Sequence, residues 1–413
     1  MANSFSSASF AAYWSRRMQR TAYRQAVYVA IVSMEEQATL TKGQTVHRPY
    51  RSTLYARTYT RGTAVTIRDL TDTDESLTVN VSKVVPFYVD DLDALQHNYR
   101  VLNEYADDAA TVLTNWIDGD VLGEYANATS NIDDSEINGG TDGDGFTLTT
   151  ANILKTFTEA KKKLQKQNLP GGLTNLVGII SPEFESVLLN FFANRETPLG
   201  DTTGQNGNIG SYMGFKLHVS NSLSFSARLV TSTIFTAGDT VTINGVVFTA
   251  RADGSAVSSG DFSIQATAAL CSAQFTEALN NTQGYAATVG AVDTYFEVTA
   301  ANRDLLMGMT ATDGTTYIDI VFEGVGLVAV SETLTPAVDV WTGAKQIQHQ
   351  LFGKAGSIDL VIQAKPKVEV KEVPDKLGKN VLPYTLYGLK TFAEGARALV
   401  DVRVRADSGQ GVF

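Results

Sequence analysis

The residues that could do chemistry in this chain are four histidines (His47, His97, His218, His349), one cysteine (Cys271) and a loop crowded with carboxylates. The histidines are scattered. None pairs with another four residues away, none stands in HExxH, and no Cys–His set, GxSxG elbow or GxxxxGK[ST] loop occurs, so zinc hydrolysis, nucleophilic catalysis and phosphate cradling lack their residues. A lone histidine in such a setting is a surface or packing residue. The loop at 130–145, SNIDDSEINGGTDGDG, has the composition of a calcium site but not the register, which needs alternating oxygen ligands, a glycine and a closing glutamate. It reads as a solvated surface loop. Gly207, Gly210 and Gly214 resemble a dinucleotide loop only in their glycines, because a strand follows them where that fingerprint needs a helix. Nothing here favours an enzyme, and no cofactor or metal is expected.

What remains is charge. The formal net charge is −11, unevenly spread. Residues 1–68 hold ten basic side chains (Arg16, Arg17, Arg20, Arg24, Lys42, Arg48, Arg51, Arg57, Arg61, Arg68) against Glu35 and Glu36, a local +8 that leaves −19 for the rest. A basic arm on an acidic body suits an acidic partner, or the acidic body of a second copy. The arginines stand among threonines and tyrosines without a nucleic-acid-binding signature, so specific recognition of nucleic acid is not expected.

These residues need elements to position them. At 413 residues the chain exceeds what one core holds, so two or three subdomains are expected. No apolar run approaches the ~20 residues that cross a bilayer, and the first residues lack a signal peptide's apolar region. With Cys271 alone, neither intrachain disulfides nor cysteine-built metal sites can form, which suits a reducing cytoplasm.

The organising element is Asp90 to Ala126. Leu92, Leu95, Tyr99, Leu102, Ala106, Ala109, Leu113 and Trp116 recur at alternating steps of three and four, the stripe of a helix roughly 42 Å long from Asp91 to Asp118. Asp90 and Asp91 suit its N-terminus, and Gly119 and Gly123 loosen its far end. A two-stranded coiled coil is the alternative, but Ala106 and Ala109 make the seam small, and a strut carrying sheets fits better. Before it, residues 5–40 form an arm with helical character around Arg16 to Glu36. Thr45 to Lys83 reads as a long two-stranded excursion, with Tyr55, Tyr59, Val65 and Ile67 interleaved with Arg and Thr, a polar tip TDTDES, and a return through Leu77, Val79 and Val81. An isolated hairpin is marginal in water, so such an arm needs something outside itself to lie on.

After the strut, Thr150 to Gln167 reads as a helix with Ile153, Leu154, Phe157 and Leu164 inward. Leu176 to Ile180 is a buried strand, and Ser181-Pro182-Glu183 caps a helix through Phe192. Phe215, Leu217 and Val219 alternate as a strand. From about Ser224 to Glu332 charge thins and Thr, Ala, Gly, Ser and Val dominate; Asn244-Gly245 marks a hairpin turn, Thr267 to Leu279 a helix, and YIDIVFEG a strand. This reads as an inserted α+β domain. Leu399, Val400, Val402 and Val404 make a closing strand that must pair in a sheet.

The order of these parts resembles the major capsid protein of tailed bacteriophages, the Hong Kong 97-type coat fold. VVPFYVDDLD, GIISPEFESVLL, IGSYMGFKLHVSNSL and YGLKTFAEGARALVDVRV carry the resemblance, with the run from Ser211 through Gly214 and Phe215 to Ser220-Asn221 and Leu223 as its most telling piece. It spans residues 1–223 and 333–413. It implies an α+β chain divided into an N-terminal arm (1–44), an extended loop (45–89), a spine helix with peripheral domain (90–149), an axial domain (150–223 and 333–365), an insertion domain (224–332) and a return to the peripheral domain (366–413). It further implies self-assembly through pentamers and hexamers into an icosahedral shell around double-stranded DNA, in the host bacterial cytoplasm. Arg48, Arg51, Tyr55, Arg57, Tyr59, Arg61 and Arg68 would make intersubunit contacts, and Arg16, Arg17, Arg20 and Arg24 would face neighbours and packaged DNA without sequence specificity. Scaffolding, portal and decoration proteins are the further partners implied, with no membrane. No long scaffolding segment precedes the arm, so a separate scaffold or none is expected. Some relatives join a loop lysine to a neighbour's asparagine; the loop here offers only Lys83, at its base, and no cross-link is expected.

Two other readings stand beside this one. An encapsulin-like compartment shares the fold but encloses a cargo enzyme, and a surface-layer or adhesin protein would suit the Thr/Gly-rich module but is disfavoured without a signal peptide. The contents of purified particles separate them.

Overall fold

The computed structural model describes residues 25–38, 40, 43–51, 54–65, 67, 69–90, 101–193, 209–252, 258–280, 295, 298–335, 339–373 and 377–406, with the side chains of 101–104 excepted. Arg16, Arg17, Arg20, Arg24 and Arg68 lie outside the described residues, as does the expected start of the long helix at 91–100.

The described part of that helix runs Val101–Gly123. Its buried face is Ala109, Leu113, Ile117 and Val121, with Leu122 beside it. The stripe read through Trp116 therefore continues one residue later. A helix of 3.6 residues per turn drifts off any alternation of three and four, and Ile117 takes the inner position while Trp116 is half-buried. Neither does Gly119 loosen the end; the helix continues through it.

The buried face lies between two sheets. Ile117, Val121 and Leu122 share one core with Val177, Ile179, Leu351 and Leu399 of a central sheet, and with Ile358, Leu360 and Tyr387 of a second. In the central sheet the strands follow the spatial order Met309–Asp313, Tyr317–Phe322, Phe225–Val230, Ile347–Lys354, Leu176–Ile180, Phe215–Val219, Ser211–Tyr212. Leu399–Arg405 covers the other edge of Ile347–Lys354 and carries Ser130–Ile132 in turn. The second sheet is a long ribbon, Ile358–Glu372 against Gly378–Lys390, flanked by Val81–Val84 and Phe87–Asp90 and by the short strand Val32–Ser33. Its register slips on either side of Ala364, next to Pro366, which has no N–H to give the ladder. The mixed helix and sheet content agrees with the α+β expectation.

Several local expectations change. Where the arm is described, Tyr28–Ala30 and Glu35–Gln37 are single 3-10 turns around a two-residue strand, not a helix. Val27, Val29, Ile31 and Val32 are β-branched and disfavour a helix, and Ile31 is fully buried between the sheets. In the helix Ile153–Lys166, the inward side chains are Ile153, Thr156, Phe157, Ala160 and Leu164, and Leu154 turns outward. The acidic loop is solvent-exposed at 138–142, as expected, but its start is anchored. Asp133 is buried and caps the turn Asp134–Ile137, its oxygens accepting from Ser135 N, Ser135 Oγ and Gly143 N. Burial alone would raise its carboxyl, but those hydrogen bonds hold it well below the usual range.

The module from Ser224 has its own aromatic core of Phe235, Phe248, Phe262 and Phe275. The expected Asn244-Gly245 turn is present, both residues at positive φ (49° and 80°), as a type I′ hairpin turn requires. Two findings bear on its borders. Phe225–Val230 pairs with Ile347 and Gln348, so part of the module continues the central sheet. Leu334, Asp339 and Trp341, assigned above to the resumed axial domain, contact the module: Leu334 and Trp341 join its core, and Asp339 accepts hydrogen bonds from Ser232 and Thr233.

Module and helix touch at two glycines. A Cβ on Gly119 would stand 2.8 Å from the Gly324 Cα. Two effects oppose each other in Gly119→Ala: helix propensity favours alanine by about 1 kcal/mol, and overpacking against backbone costs about 1–3 kcal/mol. Because backbone cannot swing aside, the second wins, and Gly119→Ala lowers the urea midpoint of the subunit. A raised midpoint would show that helix and loop do not meet there.

Candidate intersubunit surface

Thr45–Arg51 pairs antiparallel with Asp72–Thr78. The polar run TDTDES is thus a strand and not the tip of the excursion. Its acids lie opposite the basic residues of the other strand, Glu75 across from Arg48 and Asp72 across from Arg51, and His47 Nδ1 sits 2.7 Å from Asp74 Oδ2. Opposite charges across a ladder hold the register of a ribbon that has little core.

The ribbon divides into a docked base and an uncovered tip. At the base, Leu77, Val79 and Leu40 form a core with Val361 and Phe392, and Val46 packs on it. Arg48 belongs to this base. Its guanidinium lies over the Phe392 ring at 5.2 Å and reaches Asp359 Oδ2 at 3.3 Å. Glu75 accepts from Ala393 N, and Arg397 stands over the Tyr50 ring. Farther out, every described residue from 54 to 74 is exposed, including Tyr55, Arg57, Tyr59 and Arg61, and Arg51 is exposed beside them. Leu54, Val65, Ile67 and Leu70 are also large, apolar and exposed, Ile67 at 89%. Burying one such side chain is worth about 1.5–3 kcal/mol, whereas an exposed ion pair is worth about 0–1 kcal/mol. The apolar residues of the tip therefore offer a covering surface more than its arginines do.

The histidine reading missed one constellation. His349 Nδ1 lies 2.9 Å from Asp401 Oδ1, its Nε2 lies 2.9 Å from Ser226 Oγ, and its ring stacks on Tyr125 at 3.7 Å. The other Asp401 oxygen accepts from Arg403 Nε. This connectivity is that of a nucleophile, base and orienting acid. His349 and Asp401 are buried and Ser226 is half-buried, and the hydrogen bonds join three neighbouring strands; none of the three lines the cavity of about 610 Å³ around Phe184 and Val404. Only the pairing of Phe225–Val230 and Leu399–Arg405 with Ile347–Lys354 brings these residues together.

Among the described residues no group of three or more His, Cys, Asp or Glu is placed to hold a metal, and no helix is long and apolar enough to cross a membrane. Lys83 stands over the Trp116 ring at 4.4 Å. Near it, burial and the carboxylates of Asp120 and Glu124 raise the Glu323 carboxyl above its ordinary range.

The chain matches no protein-family model and no curated protein. Among solved structures, a chain from Mycobacterium phage Che8 superposes with a TM-score of 0.57 at 14% identity, over 95% of this chain and 97% of that one. A chain from the capsid structure of the cyanophage P-SCSP1u does so with a TM-score of 0.51 at 10% identity, over 97% and 94%. The fold is that of a phage capsid subunit. At such identities the capsid fold is shared through the order and packing of elements and not through individual residues. The motif resemblance, read from that same order, holds at the level of the fold.

The ribbon base contains a titrating group. Burial, opposed by Arg48 and assisted by Glu36 and Glu35, pushes the Asp359 carboxyl up to about 6. The folded chain then keeps a proton between about pH 4 and pH 6 that the unfolded chain has released, so this group's contribution to stability falls as pH rises through that window. Asp359→Asn keeps an acceptor for Arg48 but cannot ionise. Relative to the unaltered subunit it gains about 1–2 kcal/mol in stability between pH 4 and pH 7, allowing for partial solvent screening. Urea unfolding at the two pH values measures this; parallel profiles would refute it.

Proposed function

We propose that this chain is the major capsid protein of a tailed bacteriophage, a structural and not an enzymatic subunit of the icosahedral shell around double-stranded DNA. The observation that carries the reading is near-complete coverage, in both directions, of phage capsid chains by a fold of this size. The uncovered tip supports it: the described residues of 54–70, which link the two paired strands without forming strands themselves, carry exposed apolar side chains of use to a neighbour and not to their own core. On this reading the chain assembles with copies of itself as pentamers and hexamers in the host bacterial cytoplasm, and scaffolding, portal and decoration proteins are its further partners. Of the residues expected between subunits, Arg51, Tyr55, Arg57, Tyr59 and Arg61 are the exposed ones that serve a neighbour, while Arg48 serves the base of its own ribbon. On this reading the module at 224–332 is an insertion on the capsid fold, and the packing of Leu334 and Trp341 into its core supports a border later than residue 332.

The described base and tip dictate how to test the ribbon. Replacing residues 54–70 with a short turn leaves Val46, Leu77 and Val79 in place, and yields a folded, soluble subunit that forms no shells in sedimentation or electron microscopy. Shells formed by the shortened chain would remove the ribbon from assembly.

Charge gives a second test. Changing Arg16, Arg17, Arg20 and Arg24 to Gln raises the subunit concentration needed for assembly at low salt, and the difference shrinks once charges farther than about 8 Å apart are screened. Light scattering across a salt series reads the effect. Equal thresholds at low salt would show that the basic arm has another use.

A further inference from the structure

The module rests on the long helix through the turn at Glu323 and Gly324. Two backbone hydrogen bonds hold this turn, from Glu323 N to the Gly308 carbonyl and from Gly326 N to the Leu223 carbonyl. Gly324 takes a φ of 67° and meets Gly119, so no side chain separates the turn from the helix. Glu323 keeps one side exposed, but the same approach lays the end of its side chain on the helix: a Cβ on Gly123 would stand 3.3 Å from its carboxyl carbon. Gly123 is flanked by Asp120, about one turn back, and by Glu124, the next residue. The seat offered to this carboxylate is itself acidic.

The groups facing the contact come from every element packed there. Asp120 and Glu124 stand at the end of the helix, and Tyr125 follows them. Lys83 and Tyr387 come from the ribbon sheet, and Asp304 of the module lines the same groove as Glu323. Lys83 lies over the Trp116 ring at 4.4 Å, and the buried Tyr387 donates its hydroxyl to Asp120 Oδ2. Among these groups one cation stands against four carboxylates. Like charges at such range repel, and here they sit on two bodies, Glu323 on the module and Asp120 and Glu124 on the helix. Burial and these neighbouring carboxylates raise the Glu323 carboxyl; burial, opposed by the Tyr387 hydrogen bond and Lys83 and assisted by Glu124, raises Asp120.

We propose that protons control the seating of the module on the long helix, which is tight while Glu323 or Asp120 carries one and loosens when both are ionised. The seated state keeps a proton that the loosened state releases, so seating is favoured at low pH and weakens as pH rises through the range in which the seated carboxyls ionise. The device belongs to the single subunit and does not depend on the shell reading.

Amide hydrogen exchange of the full chain, corrected for the intrinsic effect of pH, tests it. Every chain carries Asp359→Asn, which removes the titrating carboxyl at the ribbon base. Between about pH 5 and about pH 8 the protection of residues 323–326 falls by about threefold or more, while the module helix Ala268–Asn280 keeps its protection. Glu323→Gln is neutral throughout and keeps the protection of the lower pH at both. Glu323→Lys, which turns repulsion from Asp120 and Glu124 into attraction, is also protected at both. Glu369→Gln, on the exposed end of the ribbon sheet, leaves the fall in place. Equal protection at the two pH values without a change at Glu323 overturns the proposal, as does a fall that survives Glu323→Gln. A parallel loss in Ala268–Asn280 would assign the fall to unfolding of the module, and an equal flattening by Glu369→Gln would assign it to overall charge; either overturns the proposal too.

Discussion

Ile117, Val121 and Leu122 must be removed from water, and they are removed by two sheets at once. The chain passes from the central sheet to the ribbon sheet between Lys354 and Ile358, and both sheets use the same helix face as their common floor. The crossing is tied down from the other side by the N-terminal segment: the Ile31 carbonyl accepts from Gly356 N and Ser357 N. One turn earlier, Val27 N and Tyr28 N both donate to Asp118 Oδ1 on the helix. A fully buried carboxylate costs several kcal/mol unless such donors reach it, so the helix, the crossing and the start of the described chain hold one another in place. The rest of the molecule hangs from that junction, the module at Gly119 and Gly324 and the ribbon base at Phe392 and Asp359.

The same economy explains what is left outside. The described helix face at Ala109, Leu113, Ile117 and Val121 is buried, whereas Leu54, Val65, Ile67 and Leu70 are exposed. A monomer that exposes such a strip is prone to aggregate unless a partner of fitting shape covers it. In the ribbon's register Arg48 stands opposite Glu75 and Arg51 opposite Asp72, so unlike charges face each other across the ladder.

How much was legible in the sequence follows from the range of each interaction. Local patterns spoke clearly. The spacing of Leu113 and its neighbours announced a helix, Asn244-Gly245 a type I′ turn, Ser181-Pro182-Glu183 a helix start (Ser181 Oγ accepts from Phe184 N), and Leu399 to Val404 a buried strand. Their order along the chain was enough to suggest the capsid fold, because order survives when identity has fallen to 10–14%.

Only the tertiary structure decided the rest. Ser226, His349 and Asp401 carry no local signal, since their adjacency arises from three strands brought together across the central sheet. TDTDES reads as a turn by composition and becomes a strand because an arginine-bearing partner lies opposite it. Leu334 and Trp341 resemble the body by position but pack into the module's core. Composition and periodicity report what a segment can do over a few residues. Which of those options is taken depends on burial against distant neighbours, and burial is a property of the folded chain alone.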